Sequence, residues 1–559
     1  MRVTIKKYIM KHWQIISEET VDKSQKTIED IVKLLLKNRG LTTKQEIDVF
    51  LNSDINATSL VSCGIDEKEF EKFKTRIEKA IEDSEKIIIF GDYDVDGITS
   101  CAILWETLYT KTKNVIPYIP DRADEGYGLS IKGIDNVLKE NPDTKIIITV
   151  DNGIVAYDAV DYANQKGIDV IVTDHHVKGK KLPKAFCIIH TTSLCGGGIS
   201  WALTKELQYE SNEKIHEKLE LATLATIADL VPLINDNRAI VREGLSVLRK
   251  TQRLGLTELL KEAGVEKENL GVYTIGHVIA PRLNATGRIQ SAMNALRLLC
   301  TRDQKKAQDF AKMLGGVNRD RQGLTEESVN HAKLLAIENS SPHITIVSDV
   351  SYNQGVIGLV ASQLVEIYYK PAVVIAIGES VSKGSARSIS GVNIIELLRS
   401  VSDQLLEAGG HPMAAGFSVA TERIDEFMKA LEKKASEVVT EELLKRYLKI
   451  DALLTFSMIT MEFLDAIGKL EPYGMGNPEP VFATRNVSIV ETRKIGREQN
   501  HLKLKVESDG KIFDAVAFGM VDKIDLSEGD KVDIAYIVDK NEWNGKVSLQ
   551  LKIRDIKLT

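Results

Sequence analysis

Three short acidic segments carry the chemistry that this sequence can support. Asp92, Asp94 and Asp96 alternate between Gly91 and Gly97; Asp151 precedes Asn152 and Gly153; Asp174 precedes His175 and His176. Each follows a β-branched run, at 87–90, 146–150 and 170–173, that reads as a buried strand. Carboxylates and imidazoles at the ends of parallel strands converge on one edge of a sheet, where open α/β folds bind ligands. So many acids in one place stay packed only with cations among them. The pattern points to a divalent-metal site, binuclear, built to hydrolyse a phosphate ester.

The alternation of Asp92, Asp94 and Asp96 puts them on one side of an extended segment. Gly91 and Gly97 allow a tight turn from strand to helix. An EF-hand loop is excluded, because no Glu stands at its twelfth position and the flanks are strand then helix. Asp-Asn-Gly is by itself an ordinary turn, and its place after a second buried strand is what raises the metal reading. Adjacent histidines cannot both face one point from a strand, so at most one of His175 and His176 is a direct ligand, and the other points toward substrate or the shell behind the metal. An oxygen-and-nitrogen donor set suits Mn2+ or Mg2+. Asp229 has apolar residues on both sides and is therefore either paired or metal-bound.

Other segments read as anion-binding loops. Arg122 and Tyr127 share a glycine-hinged segment; Arg288 follows Asn284 and Gly287; Lys383, Ser385 and Arg387 stand among small residues. Backbone amides with Arg make a phosphate cradle without a P-loop. His411 follows two glycines, which let backbone approach closely. No GxxxxGK[ST] occurs, so ATP hydrolysis has no support.

The elements that must position these residues follow from periodicity. Residues 1–80 read as helical, with a Thr-x-x-Glu capping pattern at Thr43 and Glu46. From about 86 to 230, strands alternate with helical stretches, which means βαβ units and a parallel sheet. Residues 235–340 read mostly as helix, and 303–339 as a charged connector and hinge. A second α/β pattern starts near 343, and from about 450 five alternating strand segments suggest an OB-fold barrel. With 559 residues, 43% hydrophobic and 27% charged, the chain reads as several ordinary globular domains. No apolar run is long enough to span a membrane, and residues 1–13 lack the apolar core of a signal peptide, so a cytoplasmic location is expected. Five scattered cysteines fit reduced thiols, and a net charge of −7 is neutral on partners.

The motifs GDYDVDG, DRADEGYG, VDNG, TDHH, IADLVPL, RLNATGR, NQGVIGLVASQL, GSARS, GGHPMAAGF and EPYGMGNPEP, in this order, resemble the DHH phosphoesterase superfamily and within it the RecJ single-stranded-DNA exonucleases. The resemblance runs from about residue 85 to the end. It implies an α/β fold with a parallel-sheet DHH catalytic domain, a second α/β DHH-associated domain and a C-terminal OB-fold β-barrel. The boundaries expected are a helical segment 1–80, catalytic domain 81–290, connecting helix 291–340, DHH-associated domain 341–449 and OB-fold 450–559.

The resemblance further implies Mn2+ or Mg2+, two ions, held by Asp94, Asp96, Asp151, His175 and Asp229 with Asp92 close by, and His176 among the catalytic set. Many superfamily phosphodiesterases carry a metal-binding His where this chain has Phe90, so the ligand count of the first metal differs and Asp92 is the candidate replacement. Arg122, Tyr127, Arg288, Ser385 and Arg387 are implied to bind nucleic acid or phosphate, and His411 the scissile phosphate. Single-stranded DNA is the implied substrate, degraded 5′ to 3′ to mononucleotides in recombination and repair. A monomer is implied, with single-stranded-DNA-binding protein and a RecQ-type helicase as partners. Two other readings stand beside this one. A phosphodiesterase of short oligonucleotides or cyclic dinucleotides would lack the barrel, and an inactive DNA-binding scaffold would have lost the acids.

Overall fold

The β-branched runs form the central sheet of the first of two units. In the computed structural model, which describes residues 11–18, 20–22, 26–121, 124–338, 341–543 and 545–559, one unit comprises Thr43–Arg321 with Glu471–Pro478. The other comprises Met1–Thr42, Gln322–Leu470 and Glu479–Thr559. Five strands of the first unit are all parallel and lie in the order Val115–Tyr118, Lys86–Phe90, Thr144–Val150, Asp169–Asp174, Cys187–His190. Alternate residues face two cores. Ile87, Ile89, Ile146, Ile148 and Val150 enter one; Ile88, Phe90, Ile147, Val170 and Val172 enter the other. Burial on both faces is what a parallel sheet requires, and it explains the nearly continuous apolar runs.

Numbered along the chain, the strand order is 2-1-3-4-5. The order reverses between Lys86–Phe90 and Thr144–Val150, and in open α/β sheets ligands bind beyond the carboxyl ends of the strands at such a point. The Asp92–Asp96 loop follows the first of these strands and Asp151 the second. The α/β topology therefore fixes where the acids meet.

In the second unit, a mixed five-stranded sheet runs Glu407–His411, Ala414–Ala420, Val381–Arg387, Ala372–Ala376, Thr345–Asp349. Its last pair is parallel and the others antiparallel. Phe482–Ile495, His501–Ser508, Lys511–Ala517, Lys546–Leu558 and Lys531–Trp543 pair in that order, and Phe482–Ile495 closes the ring by pairing with both neighbours. This closed five-stranded barrel is the expected one. The connector is one helix, Gln304–Glu338, and the division between units falls within it.

Four expectations need correction. Residues 1–80 are not wholly helical: His12–Ile15 pairs in parallel with Tyr447–Ile450, and Thr20–Val21 with Ala452–Leu454. Both strands are too short to show a period, and their partners lie over 400 residues away in sequence. The capping box at Thr43 and Glu46 is present. Lys383, Ser385 and Arg387 are strand residues rather than a loop. Gly409, Gly410 and His411 form the next antiparallel hairpin with Ala414–Ala420. Asn284 to Arg288 lie inside the helix Ala280–Ile289. In each of these last three, pairing or packing overrides a small-residue composition that favours turns. No helix among the described residues is long and apolar enough to cross a membrane.

Candidate metal centre

Asp94 and Asp96 stand at the start of the helix Val95–Tyr109, with Asp94 as its cap, accepting from Gly97 N at 3.1 Å. Asp96 is 1% exposed, and its two oxygens accept from Gly196 N and Gly197 N, both at 2.7 Å. Those amides open the helix Gly196–Leu207, whose positive end favours a carboxylate. The motif reading passes over glycines 196–198, though a Gly-Gly-Gly run opening an apolar stretch is a signal for such a cradle. A Cβ on Gly196 would stand 2.7 Å from Asp151 Cβ, and one on Gly197 2.4 Å from Ala225 Cβ. Only bare backbone fits between these groups.

Asp151 has φ +62, a left-handed conformation that non-glycine residues rarely adopt and that concentrates at functional sites. Its neighbour explains why it persists. Asn152 donates to Phe90 O at 3.2 Å and Val150 O at 2.9 Å, and accepts from Leu129 N at 3.1 Å. It thus ties the two strand ends at the reversal point. Phe90 is fully buried in the core beside Tyr118, ring centroids 5.2 Å apart, and Asp92 is 2% exposed beside Asp94 and Asp151.

Asp174, to which spacing alone gives no role, organises the histidines. Its Oδ1 accepts from His175 N, His176 N and the His176 ring Nδ1, and its Oδ2 from Ile154 N. His176 Nε2 in turn meets the Tyr127 hydroxyl at 2.9 Å. Both ring nitrogens of His176 have partners, whereas His175 Nε2 makes no hydrogen bond. His175 Nε2 is 3.1 Å from Asp151 Oδ1, 3.6 Å from Asp96 Oδ2 and 3.8 Å from Asp229 Oδ2.

Ligand atoms fall into three overlapping groups, each within 4.8 Å: Asp96, His175 and Asp229; Asp151, His175 and His176; Asp92, Asp94 and Asp151. A divalent ion fits this set. Asp151 Oδ1 and His175 Nε2 are buried, and neither makes a hydrogen bond. Cis ligands on an ion with bonds of about 2.1 Å sit about 3 Å apart, the separation seen here.

The charges agree. Burial, then Asp96, Asp94, Asp92 and Asp229, push Asp151 well above the usual carboxylate range. Burial and Asp96 raise Asp94. Burial, Asp96 and Asp94 push Asp229 up to about 8. Burial lowers His175. Burial would lower His176 too, but the hydrogen bond and charge of Asp174 outweigh it and raise the imidazole.

These shifts set a pH dependence. Without divalent ions, Asp229 holds its proton to about pH 8 in the folded chain, against an ordinary 3.8. Between those values the folded state binds a proton that the unfolded chain has released, so stability falls as pH rises through the window. A cation replaces that proton. The expected result is a metal-free Tm that declines from pH 5 to pH 8, and a Mn2+-induced rise in Tm that is larger at pH 8 than at pH 6. Thermal melts in EDTA and in Mn2+ check this. An unchanged slope in Asp229→Asn would remove Asp229 from the account.

The other expected residues divide between the units. Tyr127 is 53% exposed and packs edge-on to Tyr93 and His176. Arg288 sits in the last turn of Ala280–Ile289. The same helix docks on the acidic loop: Asn284 Oδ1 accepts from Val95 N at 2.9 Å, and a Cβ on Gly287 would lie 2.4 Å from Tyr93 O. Asn284 thus fixes the backbone between Asp94 and Asp96. Arg122 lies outside the described residues.

Ser385, Arg387 and His411 belong to the second unit. There, Arg387 and His411 flank Ala414 from the two neighbouring strands. Arg387 Nη1 donates to Ser385 Oγ at 3.0 Å, and a Cβ on Gly358, in the first turn of Ile357–Tyr368, would meet Arg387 Nη2 at 2.8 Å. Arginine, hydroxyl and helix start thus stand together, donors of the kind that anions accept from.

The chain is similar to known proteins. Residues 86–228 match the DHH family, N-terminal domain; 342–437 the DHHA1 domain; and 450–555 the RecJ OB domain. The chain is 35% identical over 545 residues to the single-stranded-DNA-specific exonuclease RecJ of Bacillus subtilis, covering 94% of this chain and 68% of that one. It is 31% identical to the Haemophilus influenzae protein of the same name, with 93% and 94% covered. Thermus thermophilus RecJ in complex with Mn2+ superposes with a TM-score of 0.81 at 28% identity, covering 99% of this chain and 80% of that one. The Mg2+ complex of the same protein gives 0.75 at 26% identity, covering 99% of this chain and 79% of that one.

Proposed function

This chain belongs to the RecJ family, and from that membership we propose that it is a metal-dependent exonuclease that degrades single-stranded DNA from the 5′ end to mononucleotides, in recombination and repair. The observation that carries the reading is the joining of Asp92, Asp94, Asp96, Asp151, His175 and Asp229 at the reversal point of the sheet. These residues are the assigned holders of two Mn2+ or Mg2+ ions. Such ions, when bound, neutralise phosphate charge and lower the pKa of a coordinated water. The protein contributes position. Asp174 holds His176 and Tyr127 in one chain of hydrogen bonds, and the Gly196 and Gly197 amides hold Asp96. Arg288, Ser385, Arg387 and His411, with Arg122, are assigned to phosphates, where charge-assisted bonds are strongest.

The working segments in this reading are catalytic 81–290, connecting 291–340, DHH-associated 341–449 and OB-fold 450–559, with 1–80 ahead of them. The barrel grips the strand by charge and base stacking. The site of action is the cytoplasm and the acting form a monomer. The partners are single-stranded-DNA-binding protein and a RecQ-type helicase, testable by co-sedimentation with each. The decisive assay incubates 5′-labelled and 3′-labelled single strands with Mn2+. Early release of the 5′ label as mononucleotide supports the reading. Turnover confined to dinucleotides, or none, overturns it in favour of a small-nucleotide phosphodiesterase or an inactive scaffold.

The group of donors around Arg387 suits a strand end, because an exonuclease needs a stop for its terminal phosphate. Arg387→Ala is expected to cost about 1.5–3 kcal/mol more on 5′-phosphorylated than on 5′-hydroxyl strands, the worth of a charged hydrogen bond. Arg387→Lys should not fully rescue it, because a point charge lacks the fork geometry. Measured kcat/KM on both substrates decides the point. An equal loss on both assigns Arg387 to an internal phosphate or to the fold.

A further inference from the structure

Asp229 ends the helix Leu219–Ala228, and the chain leaves that helix through Leu230 at φ +59. Such an exit needs an anchor if the carboxylate is to hold its place. One anchor is Asn237, whose Nδ2 donates to Pro232 O at 3.1 Å and to Ser193 O at 2.8 Å. The other is the 471–478 segment. Leu233, 2% exposed, donates its N–H to Met475 O at 2.7 Å. A Cβ on Gly474 would lie 2.6 Å from Leu233 Cδ1, and one on Gly476 2.9 Å from Pro232 Cβ. Gly476 has φ +73, so a side chain there meets both strain and a clash.

The segment is closed by hydrogen bonds of its own. Gly474 N donates to Asn477 O at 2.8 Å and Asn477 N to Gly474 O at 3.1 Å. Asn477 is fully buried and its Nδ2 donates to Pro472 O at 2.9 Å. Arg238, also fully buried, clamps the segment by donating from Nη2 to Glu471 O at 2.6 Å, while its Nε holds Phe50 O at 2.7 Å. Yet Leu470 before it and Glu479 after it belong to the other unit. A closed turn from the chain that leads into the barrel is thus built into the acid-bearing unit, against Pro232 and Leu233 just past Asp229.

We propose that the 471–478 turn is a positioning element for Asp229: it fixes the exit of the helix end so that this carboxylate holds its place among the metal ligands. The inference rests on the assignment of Asp229 to a metal. Outer-shell supports of a ligand typically tune metal affinity by about 10–100-fold.

The test compares Asn477→Ala, Gly476→Ala, Asp229→Asn and the double variant Asp229→Asn/Asn477→Ala in the full chain. Mn2+ binding is followed by electron paramagnetic resonance titration, with Tm and the Mn2+ dependence of turnover alongside. Expected for Asn477→Ala is a loss of Mn2+ affinity at one site of about 10-fold or more, with turnover recovering in excess Mn2+. In the double variant the turn substitution should add nothing further to the Asp229→Asn loss, because both act through one ligand. If Asp229→Asn weakens Mn2+ binding and Asn477→Ala and Gly476→Ala do not, or if they lower only Tm, the positioning role is overturned. Additive losses in the double variant overturn it as well. If Asp229→Asn leaves Mn2+ binding unchanged, the metal assignment of Asp229 fails instead.

Discussion

Replacing Asp151 is expected to lower kcat by at least ~10^3-fold in Mn2+, the scale of losing essential transition-state stabilisation. Asp151 ends the middle strand of the three that carry acids, and among the described residues it is the one that shares a candidate metal group with both Asp92–Asp94 and His175. Its Oδ1 lies 3.1 Å from His175 Nε2. A carboxylate that belongs to two groups of candidate ligands would serve two ions if both were bound.

The choice of variant matters, because Asp151 sits at φ +62. Alanine is strained there, whereas asparagine tolerates the left-handed region. Asp151→Asn keeps the size and the backbone and removes only the charge. It should therefore match Asp151→Ala in lost turnover while melting higher than it. In the absence of metal, Asp151→Asn should not melt below wild type, since burial and four nearby aspartates already oppose the carboxylate charge. Single-turnover rates and EDTA melts measure both. Near-normal turnover of Asp151→Asn in Mn2+ would falsify the assignment of this centre.

How much of the molecule is readable from its residues depends on how local each signal is. The strands at 87–90, 146–150 and 170–173 are legible because a parallel sheet buried on both faces demands unbroken β-branched runs. The barrel is legible because its strands alternate. Asp94, Asp96, Asp151, His175 and Asp229 are legible as acids or imidazole at strand or helix ends, and the structure gathers all five. Their supports are not. Asp174 looks like one more acid in a motif, and its work consists of hydrogen bonds to its own neighbours. Asn284 and Gly196 act on residues 189 and 100 positions away, a distance no local pattern encodes. His12–Ile15 and Lys383–Arg387 are strands through pairing alone, since short or small-residue segments carry little β preference of their own.

Gly97→Ala is the other change with a large expected effect, and the need for glycine there differs from what a strand-to-helix turn suggests. Such a turn suggests a left-handed residue, but Gly97 is helical, in the first turn of Val95–Tyr109. What demands glycine is close approach. A Cβ there would stand 2.4 Å from Asp92 N, 2.5 Å from Asp92 O and 2.6 Å from Asp92 Cα. These are backbone atoms, so no rotamer relieves the clash, and either the acidic loop or the helix start must move. Asp94 loses its bond from Gly97 N in the process, and Asp96 shifts against the Gly196 and Gly197 amides. Overpacking of this kind costs about 1–3 kcal/mol of stability. A displacement of about 1 Å in a catalytic constellation costs about 10^2-fold in rate, and two ligands move here. Turnover should therefore fall by roughly 10^2–10^3-fold, well beyond what the lost stability explains in a protein that remains folded. Circular dichroism, Mn2+ titration and single-turnover kinetics on the same preparation separate the two effects. A Gly97→Ala protein with normal Mn2+ affinity and turnover would show that the loop tolerates the displacement, and that the ligands are not held by the contact between Gly97 and Asp92.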